Sequence, residues 1–365
     1  MGEKGQVLPA LPLNQKPPLP NVPRPIVSIG AGGIVHDAHL PAYRKAGFQV
    51  VGIYDLNPER ARALAGQFGI ERVFPSLASA VREAPAHAVF DVAVPASAIL
   101  EVLPHLPGGR GVLIQKPLGE DLDQARRIVE LCREKQFLAA VNFQLRYAPY
   151  VLAARSLLEQ GAIGELHGLE MRVTVLTPWH LWTFMEGLPR LEMLYHSIHY
   201  LDLLRSFLGE PGGVYAKTLK HPVFPHLAPT CSTLILDYGE TIRACISANH
   251  GHVFGPRHQE SYIKWEGTKG AIFAKMGLLM DYPKGLPDEM EYCILRDGEP
   301  PRWEPVALEG AWFPDAFIGT MASVMRWVDD PTAKAPTAVD DAFQTMAVLE
   351  AAYRTSEKGG EPIKF

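Results

Sequence analysis

Residues 25–35, Pro25-Ile26-Val27-Ser28-Ile29-Gly30-Ala31-Gly32-Gly33-Ile34-Val35, decide the fold. Ile26–Ile29 is a short apolar run of the kind found in a parallel strand buried on both faces. A Gly-x-Gly turn follows, then a helix-like segment through Lys45. In such a turn the first glycine permits a tight bend and the second lets backbone amides approach a pyrophosphate. The helix N-terminus then adds unpaired N–H groups and positive dipole character. Val35 stands at the third motif position in place of glycine or alanine. Phe48–Asp55 reads as the second strand, and Asp55 closes it 25 residues after Gly30. A carboxylate there accepts hydrogen bonds from an adenosine ribose diol and repels a 2′-phosphate, so NAD(H) is favoured over NADP(H).

The same alternation continues outward. Pro58–Gln67 reads as a helix with Asn57 as its N-cap and Pro58 at the first helical position. Phe90–Val94, Gly111–Ile114 and Phe137–Phe143 read as buried strands, with helices at Ser97–Leu106 and Asp121–Lys135 between them. This spacing predicts an α/β, doubly wound parallel sheet. After Arg146 the texture changes. A helix, Tyr150–Gln160, leads to a long strand, Glu165–Leu176. Six further strands follow without intervening helices: Gly213–Leu219, Thr230–Asp237, Thr241–Asn249, Glu260–Glu266, Ala271–Lys275 and Glu291–Leu295. That order predicts an open, mostly antiparallel sheet in a C-terminal α+β domain, closed by helices at Pro314–Val328 and Val339–Ser356. The expected division is an arm (1–25), a nucleotide-binding domain (26–145) and a substrate-binding and oligomerisation domain (146–365).

Composition agrees with this. At about 150 residues per domain, 365 residues make two domains. With 35 Lys+Arg against 40 Asp+Glu, the net charge of −5 excludes a broad nucleic-acid-binding surface. No apolar run reaches the roughly 20 residues of a membrane span. Four dispersed cysteines (Cys132, Cys231, Cys245, Cys293) without a CxxC pair point to a reducing, cytoplasmic setting. Prolines at 9, 12, 17, 18, 20, 23 and 25 make the first 25 residues an extended arm, and they do not resemble a secretory leader. Two readings stand for this arm, a disordered leader or a segment lying along another subunit.

Two clusters carry chemistry. Lys116, in Ile114-Gln115-Lys116-Pro117, lies at the carboxyl end of a parallel strand, the edge where such sheets bind ligands. A buried lysine there exchanges a proton with a substrate hydroxyl; the plain alternative is a surface lysine at a strand exit. At 100° per residue, Glu192, Tyr195, His196, His199 and Asp202 share one helical face. The alternatives are a solvated polar face or, for Glu192, His196 and His199, metal ligation, which the absence of an HExxH pattern disfavours. No metal is expected.

In this order the motifs resemble those of the Gfo/Idh/MocA family, from about Ile26 onward. The resemblance rests on Gly30–Ile34 followed by His39-Leu40-Pro41-Ala42, on Tyr54–Pro58, on Gln115-Lys116-Pro117, and on Phe143–Tyr147. Further on it rests on His199-Tyr200-Leu201-Asp202 and on Glu266–Gly270. It implies a Rossmann domain plus an open sheet whose exposed face binds substrate or another subunit. The implied activity is NAD(P)-dependent oxidation or reduction of a sugar, sugar acid or cyclitol carbon. The exposed sheet face predicts a homodimer or homotetramer, since an uncovered apolar sheet is a liability. By motif position, Lys116 handles the proton and His199 partners it, with Tyr195 as a third catalytic candidate. The cofactor would lie against Gly30, Gly32, Gly33, Ile34, Val35, Asp55, Leu56, Asn57, Val94, Pro95, Gln115 and Lys116. Lys116, Arg146, Trp179, His180, Tyr195, His196 and His199 are the expected substrate-binding group.

Three positions depart from the family pattern. Gln115 replaces the usual glutamate. Ala96 and Ile99 replace an asparagine and a histidine. Tyr195 replaces an aspartate, and a tyrosine with a pKa near 10 is a poor base at pH 7. Two rival functions therefore accompany the dehydrogenase reading. One is a glycoside-modifying enzyme that recycles its NAD, and the other is a non-catalytic NAD-binding sensor or assembly protein.

Overall fold

The computed structural model describes residues 11–282 and 284–363. The first strands are β1 (Ile26–Ile29), β2 (Val50–Tyr54), β3 (Arg72–Val73), β4 (Val89–Val92), β5 (Gly111–Ile114) and β6 (Leu138–Val141). They pair in parallel in the order β3-β2-β1-β4-β5-β6. Strand order reverses between β1 and β4, so a crevice opens at their carboxyl ends, the usual ligand position in such sheets.

The flanking helices are α1 (Leu40–Ala46), α2 (Pro58–Phe68), α3 (Leu77–Glu83), α4 (Ile99–Val102) and α5 (Leu122–Glu134). Asn57 caps α2 by accepting from the Glu59 and Arg60 N–H groups, and Asp121 caps α5 through Gln124 N–H. Two features differ from the expected elements. The segment after Val35 begins as a π-helical turn, Val35–His39. The expected helix Ser97–Leu106 is a short α turn between two 3₁₀ turns, the second of which contains Pro104.

The second unit contains α6 (Pro149–Glu159), β7 (Leu166–Thr174), α7 (Ile198–Leu208), β8 (Gly213–Leu219), β9 (Cys231–Asp237) and β10 (Arg243–Asn249). Next come β11 (Glu260–Gly267), β12 (Gly270–Lys275), β13 (Glu289–Ile294), β14 (Trp303–Pro305), α8 (Ala316–Asp329) and α9 (Val339–Lys358). The eight strands run β14-β13-β12-β11-β7-β10-β9-β8. Every pairing is antiparallel except β7 with β10. One face is core; on β9, Leu234 and Leu236 point inward while Thr233, Ile235 and Asp237 are exposed.

Two expectations need correction. Residues 316–329 fall in the 146–365 segment, yet Phe317, Met321, Val324 and Met325 of α8 share a core with Ile26, Val35, Val89, Leu113 and Ala140. On the α1 side, α8 covers the half of the parallel sheet that α1 and α2 leave bare, so it belongs in space to the nucleotide-binding unit. The proline-rich segment from residue 11 is not a loose leader, because it is tied to its own chain. Gln15 is buried, donates to Ala307 C=O and accepts from Glu309 N–H. Asn14 N–H donates to Ser156 Oγ, Gln160 Nε2 donates to Pro12 C=O, and Arg24 pairs with Asp329. Pro9 and the rest of residues 1–10 lie outside the described residues.

Candidate active site

The crevice starts at the glycine turn. Gly30 has φ +114°, and a Cβ there would come within 2.3 Å of Ala93 O, so its glycine is demanded by the neighbouring strand. At Gly32 a Cβ would meet nothing within 4 Å, and at Gly33 only the Asp37 carboxylate at 3.9 Å. Close backbone approach by a ligand is the remaining use for these two glycines. The Val35 and His36 N–H groups bond back to Gly32 C=O, while those of Gly32, Gly33 and Ile34 have no partner among the described residues. Three open donors at the head of a helix suit a pyrophosphate.

Asp55 accepts from Ala31 N–H and Asn57 N–H, both at 2.7 Å, and so braces the turn. Exposed Leu56 flanks it. Three expected cofactor contacts are otherwise engaged: Val35 is sealed in the core, Asn57 Oδ1 caps α2, and the Gln115 carboxamide is turned inward toward His39. Val94 is half-buried and Pro95 exposed after β4, beside the crevice.

Lys116 leaves the end of β5 and donates to the Tyr195 main-chain carbonyl at 2.5 Å, with no ion pair among the described residues. Burial pushes its ammonium down to about 8. His199 on α7 is buried, edge-on to Phe143 and Trp312, with Nδ1 enclosed and unpartnered among the described residues. Burial and the nearby Lys116 charge hold it well below the usual histidine range, so it is neutral at physiological pH. His196 is lowered in the same way, by burial and then by His250, Lys116 and His199. Lys116, His196 and His199 therefore share one electrostatic neighbourhood. Trp179 closes it, its ring 5.1 Å from His196 and its Nε1 buried without a partner among the described residues.

Other expected members stand elsewhere. Burial and Glu120 push the Tyr195 phenol up to about 12, so it stays protonated at neutral pH, and its main-chain carbonyl accepts from Lys116. Arg146 is not available to substrate. Its guanidinium grips Asp202 through two hydrogen bonds of 2.6 and 2.7 Å, then Asp341 and Pro336 C=O, tying α7 to α9. His180 is exposed at the loop surface.

Nor do the five residues expected on one face stay together. A π-helical turn at Met193–Ser197 shifts the phase, sending Glu192 to Ser197 and Ser232 and Asp202 to Arg146. Sequence reasoning missed His250, fully buried at the end of β10, 4.6 Å from the His196 ring and 2.7 Å from Thr177 Oγ1. Only sheet register brings it there, since β10 lies parallel to β7. Among the described residues no cluster of three or more His, Cys, Asp or Glu side chains is placed to hold a metal.

Comparison with known proteins bears on this geometry. Residues 25–143 match the model of an oxidoreductase family with an NAD-binding Rossmann fold, and residues 151–273 match the GFO/IDH/MocA C-terminal domain. The chain belongs to the Gfo/Idh/MocA family. Members of this family similar to it include D-apiose dehydrogenase of Rhizobium rhizogenes, 23% identical over 86% of this chain and 89% of the relative. An oxidoreductase from Agrobacterium radiobacter, solved with NAD+, L-tartaric acid and magnesium, superposes with a TM-score of 0.74 at 22% identity, over 93% of this chain and 98% of that one. Levoglucosan dehydrogenase, solved with NADH and levoglucosan, gives 0.73 at 18% identity over 92% and 98%. As a Gfo/Idh/MocA oxidoreductase the chain is an NAD(P)-dependent enzyme with an NAD-binding Rossmann domain. No helix among the described residues is long and apolar enough to cross a membrane.

Proposed function

We propose that this protein transfers a hydride between NAD(H) and a hydroxyl-bearing carbon of a sugar, sugar acid or cyclitol. The observation that carries the reading is Lys116: a part-buried ammonium held by the Tyr195 carbonyl, with no carboxylate partner among the described residues, lowered to about 8 beside a neutral imidazole. When bound, the nicotinamide supplies the hydride acceptor or donor. Gly32, Gly33 and Ile34 offer amides to the pyrophosphate, and the half-buried Asp55 carboxylate offers acceptors to the adenosine ribose. In the oxidation direction, neutral Lys116 takes the hydroxyl proton while His199 fixes the same oxygen; in reduction protonated Lys116 returns it. His196 and Trp179 line the substrate side. Levoglucosan and D-apiose, the substrates in the relatives' names, are polyhydroxylated, which supports that class here. The test is NADH formation over a panel of aldoses, aldonates and inositols. Lys116→Ala is expected to lower turnover by about 10² or more; near-normal rates remove Lys116 from the mechanism.

We also propose a homodimer or homotetramer through the open sheet face. Tyr215, Leu219, Ile235 and Trp303 are exposed among the ion pairs Arg172–Glu260, Arg243–Glu170 and Lys275–Glu289. A depression of about 460 Å³ between Tyr262, Lys264, Phe273 and Lys275 lies on the same face. An apolar, salt-laced sheet of this kind suits a self-complementary contact. Light scattering on Ile235→Lys is expected to show a smaller species than the unsubstituted chain. Four unpaired cysteines fit the cytoplasm.

A further inference from the structure

Six buried or largely buried polar side chains that this chemistry leaves unused form one network between the glycine-turn helix and Lys116. His39, fully buried at the end of the π-helical turn, meets Asp91 Oδ2 through Nδ1 at 2.8 Å. The Tyr43 hydroxyl donates to the same oxygen at 2.9 Å. On the other side of the ring, Asn142 Nδ2 approaches His39 Nε2 to 3.1 Å and Gln115 Nε2 approaches it to 3.4 Å.

The orientation of the Gln115 carboxamide is fixed independently of His39. Lys116 main-chain N–H can only donate, and it donates to Gln115 Oε1 at 2.8 Å, which turns the NH₂ end toward the imidazole. Thr320 Oγ1 lies 2.8 Å from Asn142 Oδ1 and 3.1 Å from Phe317 C=O, and its single proton serves one of them. The Gln115 NH₂ thus faces Nε2, so Nε2 carries the lone pair and the ring proton sits on Nδ1, facing Asp91. A carboxylate at position 115 would place an acceptor against Nε2 and demand a second ring proton. Gln115, the departure noted in the sequence, is therefore matched to a neutral His39.

We infer that His39 and Asp91 are positioning residues for Lys116: the imidazole, held by Asp91, anchors the Gln115 carboxamide, which in turn clamps the Lys116 main chain where β5 opens into the crevice. The inference rests on the reading of Lys116 as the proton-handling group. One ring pins the glycine-turn helix, the ends of β5 and β6, and the middle of β4, so cofactor cradle and lysine are held by a common joint. In a dry interior such a network is stiff, and losing one member strands the others without partners.

The test uses the full chain with ¹⁵N-labelled histidine. The His39 ring is expected to show one pyridine-type nitrogen, Nε2, and one pyrrole-type nitrogen, and Gln115→Glu is expected to convert it to the doubly protonated form. A doubly protonated ring in the unsubstituted protein overturns the inference. Positioning is read from steady-state kinetics and from the titration midpoint of the Lys116 amine, followed by ¹³C-methyl labelling.

For His39→Leu, kcat is expected to fall about 10²-fold, the cost of a misplaced reacting group. The KM for NAD should move less than about threefold, and the Lys116 midpoint should rise by about one pH unit as its burial loosens. Asp91→Asn, which keeps size and an acceptor oxygen, is expected to recover most of the rate. A folded His39→Leu with unchanged kcat and an unmoved midpoint overturns the inference. If that variant does not fold, Gln115→Ala takes its place: a fall in kcat with a raised midpoint supports the inference, and no change in either overturns it. Should Lys116→Ala itself leave turnover intact, the catalytic reading fails, while the Lys116 midpoint still decides whether the network holds the lysine.

Discussion

Replacing Lys116 by methionine should make the protein inactive and more stable at once. The fall of its pKa from 10.5 to about 8 corresponds, at about 1.4 kcal/mol per pH unit, to roughly 3 kcal/mol of charge burial carried by the native state. The lost hydrogen bond to the Tyr195 carbonyl returns about 1 kcal/mol of this, leaving Lys116→Met about 2 kcal/mol more stable at pH 7. The sign follows from proton linkage. The unfolded lysine titrates near 10.5 and the folded one near 8, so the unfolded chain binds more protons between these values and the parent gains stability as pH rises through that window. The advantage of Lys116→Met should be constant below about pH 8 and vanish by about pH 10.5. Urea unfolding at pH 7, 8.5 and 10 measures it. The same titration sets the rate: about a tenth of the amine is neutral at pH 7 and most of it at pH 9, so oxidation in the parent should rise through an inflection near 8. A destabilised Lys116→Met at pH 7, or an oxidation rate flat from pH 7 to 9, refutes the reasoning.

Other perturbations separate structural from binding roles. Asp202→Asn breaks a buried, two-pronged ion pair and leaves Arg146 under-compensated, so unfolding free energy should drop by about 3–5 kcal/mol in urea titrations. Gly32→Ala, with open space around its Cβ, should fold normally yet lose NAD affinity in calorimetric titration, whereas Gly30→Ala, driven against Ala93 O, should fail to give soluble folded protein. Gln15→Ala should cost about 1–3 kcal/mol through two lost hydrogen bonds in a buried setting, read as a lower midpoint in thermal unfolding.

The parallel sheet was legible because most of its strands are short, buried and mainly apolar, and the second sheet because its strands alternate, as on β9. Missed elements were those whose signal is not local. The two-residue strand β3 is too short to show a pattern. Its neighbour α3 is capped by a reciprocal Ser76–Ser79 box that was not read from the sequence. The π-helical turn at Met193–Ser197 inserts a phase shift that no fixed 100° wheel contains, and Asp202 is sent to Arg146, away from the histidines. At the site, Lys116 could be placed from its position at a strand end, but the partners that define Arg146 lie 56 and 195 residues away, at Asp202 and Asp341. His250 and His39 escaped for the same reason, since their neighbours come from other strands.

Strand β7 has a consequence for how the second sheet holds together. It is the seam between two wings, β8–β10 on one side and β11–β14 on the other, which hydrogen-bond to β7 and not to each other. The chain crosses from one wing to the other through the exposed stretch from Val253 to His258. A single protease cut there would sever the polypeptide but leave every rung of both ladders in place. The nicked halves should travel as one particle through a sizing column and part only on denaturation, which makes this stretch a natural point for splitting the molecule into two reassembling fragments.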